Sequence, residues 1–124
     1  MKFYDDDYPF YWGDIDLMKR INDTTYKIIE LQKVFVLHEQ NASTSNNLKI
    51  NLYKDINFKF GEILFDYKHK KFRIIKILRQ LAQNLIFLLI NLLLLNEKTQ
   101  KNLGNLLGIF KFIIFIFLRK LKMK

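Results

Sequence analysis

The chain has 124 residues, a formal net charge of +9 at pH 7, half of its residues hydrophobic, and a mean hydropathy of −0.05. That length fits a single unit. The lack of cysteine excludes disulfides, thiolate metal sites and a cysteine nucleophile. The charge is uneven: residues 1–67 carry eleven of the twelve acids and eight bases, a net of −3, whereas residues 68–124 carry thirteen bases and one acid, a net of +12. Such asymmetry points to a membrane surface, an anionic lipid or a nucleic acid.

The first nine residues are acidic and aromatic, with Asp5, Asp6 and Asp7 among Phe3, Tyr4 and Tyr8. A signal peptide needs a basic start and an apolar stretch, and a mitochondrial transit peptide is Arg-rich and acid-poor; this start fits neither. A membrane chain that begins so is expected to be targeted by internal segments, or to be made inside the compartment where it works. Pro9 and Gly13 interrupt regular structure over 1–14. Tyr4, Tyr8, Phe10, Tyr11 and Trp12 are many large side chains for a solvated tail, so this segment is expected to be ordered against a partner protein.

Residues 15–21 fit one or two helical turns, with Asn22 and Asp23 ending them or capping the next element. The stretch 24–39 is ambiguous. Val34, Phe35, Val36 and Leu37 favour a strand, but Ile28, Leu31 and Phe35 also fit a helical stripe. Residues 41–47 read as a polar loop. Beyond it Leu48, Ile50 and Leu52 alternate with polar positions, and Ile56, Phe58 and Phe60 continue the alternation. Residues 63–67 and 72–75 flank the basic turn 68–71. The pattern predicts two or three short antiparallel strands, so that residues 1–73 form a small mixed α/β extramembrane region.

Two apolar runs, 81–95 and 103–118, dominate the last third, separated by the polar loop 96–102. A spanning helix needs about 20 apolar residues. The first run extends back to Ile74 if Lys76 and Arg79 snorkel to the interface, and the second borrows Arg119 and Leu121 in the same way. Neither run has the wide polar face of a soluble surface helix. Residues 74–124 are therefore expected to form a transmembrane helical hairpin with basic ends. Lysines and arginines flank its two outer ends, and the connecting loop holds only Glu97, Lys98 and Lys101. The positive-inside rule then puts both termini on one, negative-potential side.

The polar residues within the runs are patterned. Gln80, Asn84 and Asn91 fall near one face of the first, and Gly104, Gly108 and Lys111 share a face of the second. Gly104 and Gly108 make a small-xxx-small step that permits close helix approach. A bare charge at the position of Lys111 costs roughly 2.5–3.5 kcal/mol in mid-membrane. Either Asn84 or Asn91 bonds the Lys111 ammonium, with the two polar faces meeting each other or a partner helix, or Lys111 snorkels to a headgroup. Lys76, Arg79, Arg119 and Lys120 are placed to meet lipid headgroups, including an anionic lipid such as cardiolipin.

Chemistry-bearing motifs are missing. His38 and His69 stand 31 residues apart with no cysteine to complete a metal set, and read as surface or turn residues. Neither apolar run holds a histidine for haem or a carboxylate for proton carriage. Asp5, Asp6 and Asp7 are expected to be solvated or paired with a partner's basic patch. No phosphate loop, nucleophile elbow or zinc-protease motif is present. Asn41-Ala42-Ser43 matches a glycosylation sequon of the kind met by chance. No catalytic, cofactor or metal residue is expected.

Phe, Ile, Lys and Asn supply 56 of the 124 residues, while Ala, Gly, Pro and Arg supply 11. The first group uses AT-rich codons and the second GC-rich ones, at core and surface positions alike. In this the chain resembles the small lineage-specific membrane proteins encoded in AT-rich mitochondrial genomes of protists, ciliates in particular. The resemblance covers the whole chain in composition and layout, and it carries no site residues. It implies a mitochondrial inner-membrane protein, in which the charge rule above would put both termini in the matrix.

Together these features point to a non-catalytic accessory subunit of a respiratory-chain complex, NADH dehydrogenase or cytochrome c oxidase ahead of ATP synthase. Its partners would be other membrane subunits and anionic lipid. The alternative is a mitochondrial ribosomal protein that binds rRNA through its basic C-terminal half, where Phe72 interleaves the bases of 68–79. The net-acidic first 67 residues and the Leu-rich hairpin fit that alternative less well.

Overall fold

The computed structural model describes residues 3–30, 33, 35, 37, 47–94, 96 and 98–122. They form four helices: α1 (Gly13–Asn22), α2 (Leu48–Lys68), α3 (Ile74–Leu93) and α4 (Lys98–Lys122). No strand occurs among the described residues. Residues 24–30 are neither helix nor strand. His38, the sequon at Asn41 and most of the stretch 31–46 lie outside the described residues.

Among the described residues, the mixed α/β region expected before residue 74 is corrected to one whose regular elements are helices alone. The strands expected across 48–67 are a single 21-residue helix, and residues 74 and 75 open α3. Alternation from Leu48 to Leu52 masked a second pattern in the same residues. Leu52, Ile56, Phe60, Ile63, Leu64 and Tyr67 recur at spacings of three and four. Asn47 supplies the start signal, its side-chain Oδ1 accepting the Ile50 N–H at 3.1 Å. The period was blurred because α2 is covered on more than one side. Its buried residues, Asn57, Lys59, Phe60, Gly61, Ile63 and Leu64, therefore do not form one stripe.

The basic turn after α2 falls where expected, and its geometry is specific. The Lys71 N–H donates to Asp66 O at 2.8 Å and the Lys70 N–H to Tyr67 O at 3.3 Å, with Lys70 at φ 58°. This is a Schellman C-terminus with lysine in the left-handed position usually given to glycine. It reverses the chain directly into α3.

α4 packs along both α2 and α3. Contacts of Leu48 with Gln100, Asp55 with Gly104 and Lys59 with Gly108 advance together, so α2 and α4 run parallel. Phe72 meets Phe112 and Asn84 meets Asn105, so α3 runs antiparallel to α4. The core lies among these three helices: Phe60, Ile63 and Leu64 of α2, Ile77 of α3, and Ile109 and Phe112 of α4. Although 1–73 and 74–124 meet at the turn before α3, α2 is packed onto the apolar hairpin along its length.

Residues 10–12 pack on a face of α2 turned away from α4. Phe10 packs on Tyr53, Tyr11 and Trp12 on Phe58, and Trp12 also on Phe65. The aromatic cluster expected to await a partner protein is thus ordered, in part, by this chain's own second helix. Trp12 adopts φ 74° at the N-cap of α1. α1 carries Asp14 and Asp16 in its first turn and Lys19 and Arg20 in its last, which matches the helix dipole at both ends.

α3 and α4, with 20 and 25 residues, are each long and apolar enough to cross a membrane. At about 1.5 Å per residue α3 is roughly 30 Å long, the thickness of a bilayer's hydrocarbon core.

Candidate functional site

The face of α4 that carries Gly104, Gly108 and Lys111 meets α2. A Cβ on Gly104 would lie 2.5 Å from Asp55 Cβ, and one on Gly108 would lie 2.7 Å from Ile56 O and 2.7 Å from Lys59 Cβ. The two glycines let the helix backbones approach within a distance that any side chain would prevent. One turn further, the Lys111 Nζ donates to Asn57 Oδ1 at 2.5 Å and sits 4.8 Å from the centre of the Phe60 ring. Asn57 is fully buried, and its Nδ2 is used in turn by Tyr53 O at 2.8 Å.

The expected link from Lys111 to Asn84 or Asn91 is therefore not made. Asn84 is on the α3–α4 interface instead: its Oδ1 accepts from Asn105 Nδ2 at 2.9 Å, and its Nδ2 donates to Gln80 O at 2.7 Å. Asn91 lies near the far end of α3, where its carbonyl accepts the Asn96 N–H at 2.9 Å. Gly104, Gly108 and Lys111 sit together, and Asn84 and Asn91 do not join them.

Charges on the second half of α2 are paired along the bundle. Lys59 bonds Glu62 at 2.8 Å, and Lys76 bridges from α3 to Asp66 at 2.5 Å and Glu62 at 3.5 Å. Asn57, Glu62, Asp66 and Asn105 were not singled out from sequence. A helical reading of 48–68 brings Glu62 and Asp66 to adjacent turns of one face, close enough for Lys76 to reach both.

The C-terminus of α2, the start of α3 and the C-terminus of α4 gather at one end, which is strongly basic. Of the four residues expected at lipid headgroups, Lys76 is held by Asp66 and Glu62, Arg79 is exposed on α3, and Arg119 and Lys120 lie at the end of α4. Arg119 stacks 5.9 Å from the Phe115 ring. Asp5 and Asp7, expected to be solvated or to meet a partner's basic patch, close onto this end. Both accept from Lys68 Nζ, at 2.5 and 2.6 Å, and Asp7 also accepts from Arg119 at 3.3 Å. Burial pushes the Asp5 carboxyl up, but the Lys68 hydrogen bond, the Asp7 amide and the charges of Lys68 and Arg20 outweigh it. The Asp5 carboxyl is held below its ordinary value.

Beside this clasp Asp16 is buried and takes three donors or partners: Tyr8 Oη at 3.3 Å, Arg20 Nε at 2.8 Å and His69 Nε2 at 2.9 Å. His69, at the C-cap of α2, is thus a turn residue whose ring meets Asp16 and packs 4.4 Å from the Phe65 ring. Burial, then the charge and hydrogen bond of Asp16, push the Tyr8 phenol well above its ordinary value, so Tyr8 acts as a hydrogen-bond donor. The set ties α1 and the N-terminal segment to the end of α2. No group of three or more His, Cys, Asp or Glu able to hold a metal exists among the described residues.

No family model matches the chain, and neither a curated protein nor a solved structure matches it.

Proposed function

We propose that this chain is a non-catalytic structural subunit of a membrane complex, with α3 and α4 crossing the bilayer and α2 laid beside them. The observation that carries the reading is the surface of α3. Ile77 is its only buried residue, and Leu85, Ile86, Phe87, Leu89, Ile90 and Leu93 are all exposed. From residue 85 onward the helix is apolar nearly all round. A water-soluble chain rarely leaves so large an apolar patch uncovered, whereas lipid or a neighbouring membrane helix covers it at no cost.

The packing of α2 supports the same reading. A helix at membrane depth must pair its charges, and Lys59, Glu62, Asp66 and Lys76 do so, while Lys111 meets a buried amide. The basic end, following the positive-inside rule, faces the negative-potential side. With the composition described above, the compartment would be the mitochondrial inner membrane, the termini matrix-side, and the host a respiratory-chain complex.

The test is carbonate extraction of native membranes, followed by native electrophoresis and mass spectrometry of the band that holds the chain. Retention in the pellet and migration with respiratory subunits are the expected results. A chain released by carbonate and sedimenting with ribosomal subunits would replace this reading with the rRNA-binding one.

A further inference from the structure

At the basic end, Lys68, Lys70, Arg119 and Lys120 line an open cleft of about 780 Å³, with Tyr67 and Ile116 as its apolar part. Asp5 and Asp7 occupy the same cleft. One oxygen, Asp7 Oδ2, is shared between the ammonium of Lys68 on α2, at 2.6 Å, and the guanidinium of Arg119 on α4, at 3.3 Å. Asp5 Oδ2 takes a second bond from the same ammonium at 2.5 Å. Anionic oxygens held by an ammonium and a guanidinium from two elements are the arrangement that recognises phosphate. The clasp is also incomplete in charge. Four cations face two carboxylates, and Lys70 and Lys120 have no ion-pair partner among the described residues.

We infer that this cleft binds the phosphate of an anionic phospholipid headgroup, and that Asp5 and Asp7 are tethered occupants which the phosphate displaces. The inference rests on the proposal that α3 and α4 cross a bilayer. Lipid is favoured over free phosphate because the cleft opens beside Ile116, and α4 continues there with exposed Phe117 and Leu118, which acyl chains can cover. The site differs from the headgroup set read from sequence. Lys76 is taken up by two carboxylates, and Lys68 and Lys70 enter. Displacing Asp5 and Asp7 releases the N-terminal segment at its acidic end, so lipid occupancy would free that segment for a neighbouring subunit.

The full chain, purified in detergent with phosphatidylglycerol or phosphatidylcholine added, is measured by native mass spectrometry for bound lipid. The wild type is expected to retain phosphatidylglycerol in preference. The Lys70→Gln/Lys120→Gln double variant breaks no ion pair among the described residues, so it tests the site without opening the clasp. It is expected to lose about thirtyfold in phosphatidylglycerol retention, in line with about 1 kcal/mol for each of two basic residues at an anionic surface. Asp5→Asn/Asp7→Asn removes the tethered competitor and is expected to raise retention several-fold. An unchanged preference in the lysine variant, or no gain in the aspartate variant with helix content intact by circular dichroism, overturns the inference. Displacement of the lipid by equimolar inorganic phosphate overturns the choice of lipid. Carbonate extraction separates the two levels: release of the chain overturns the spanning reading and this inference together. A retained chain without headgroup preference overturns only the inference.

Discussion

Gly108 of α4 lies against the backbone of Ile56 in α2, so close that a Cβ on the glycine would stand 2.7 Å from the Ile56 carbonyl oxygen. A backbone carbonyl cannot swing aside as a side-chain tip can, so the helices must separate to admit even a methyl group. Alanine gains about 1 kcal/mol of helix propensity over glycine, but overpacking of this kind costs about 1–3 kcal/mol. Gly108→Ala is therefore expected to lower stability in a detergent-solubilised thermal or denaturant melt. Gly13→Ala, whose new Cβ would meet atoms at an ordinary 3.6 Å, is expected to be tolerated. Equal melts for Gly108→Ala and wild type would show that α2 and α4 do not pack this closely.

Lys111 and Asn57 form a mutual polar contact inside the α2–α4 seam. Lys111→Leu leaves the buried Asn57 Oδ1 without a donor, an omission worth about 1–3 kcal/mol. Adding Asn57→Leu removes the orphan, so the double variant should be more stable than the sum of the two single losses. A double-mutant cycle measures the coupling directly. A coupling near zero would place Lys111 in the lipid headgroups instead.

The Asn84–Asn105 hydrogen bond joins α3 to α4, and side-chain bonds between membrane helices average about 0.6 kcal/mol. Asn105→Ala should therefore destabilise the hairpin by about this amount, less than Gly108→Ala destabilises the α2–α4 seam. The same melts rank the two, and the reverse order would mean that α3 and α4 depend on this bond more than on apolar packing.

Lys70 holds φ 58°, a conformation that costs a side chain roughly 1–2 kcal/mol and glycine almost nothing. Lys70→Gly is expected to raise stability by up to about 1 kcal/mol, and Lys70→Val to lower it. A Lys70→Gly variant that melts below the wild type would argue against a Schellman turn there.

The clasp at the N-terminus has a defined pH response. Asp5 has a folded-state value below its ordinary 3.8. Its contribution is complete above that ordinary value and is lost as the pH falls below it, through the depressed folded value. Emission from Trp12, the only tryptophan, should report release of the segment in that acid range. Asp5→Asn should remove this component of the transition and leave later acid unfolding in place.

Residue type alone made the apolar hairpin legible. Runs of leucine, isoleucine and phenylalanine in 81–95 and 103–118, closed by basic clusters, leave few alternatives to two long apolar helices. The shared face of Gly104, Gly108 and Lys111 was legible too, because a 3.6-residue period fixes which residues point together. The strands expected over 48–67 failed for a reason visible in Phe58 and Phe60. One faces the N-terminal aromatics and the other faces α4, so neighbouring apolar residues serve different sides of one helix and imitate the period of a strand.

By itself, then, the sequence determined the two apolar helices, their basic ends and the polar faces they carry, since these are local consequences of side-chain chemistry and helical period. Only the tertiary structure decided what those faces meet: α2 against the glycines and Lys111, Asn105 against Asn84, and the N-terminal carboxylates against Lys68 and Arg119. A period specifies a direction around one helix. The neighbour found in that direction depends on which segments, as many as 112 residues apart in the case of Asp7 and Arg119, fold against one another.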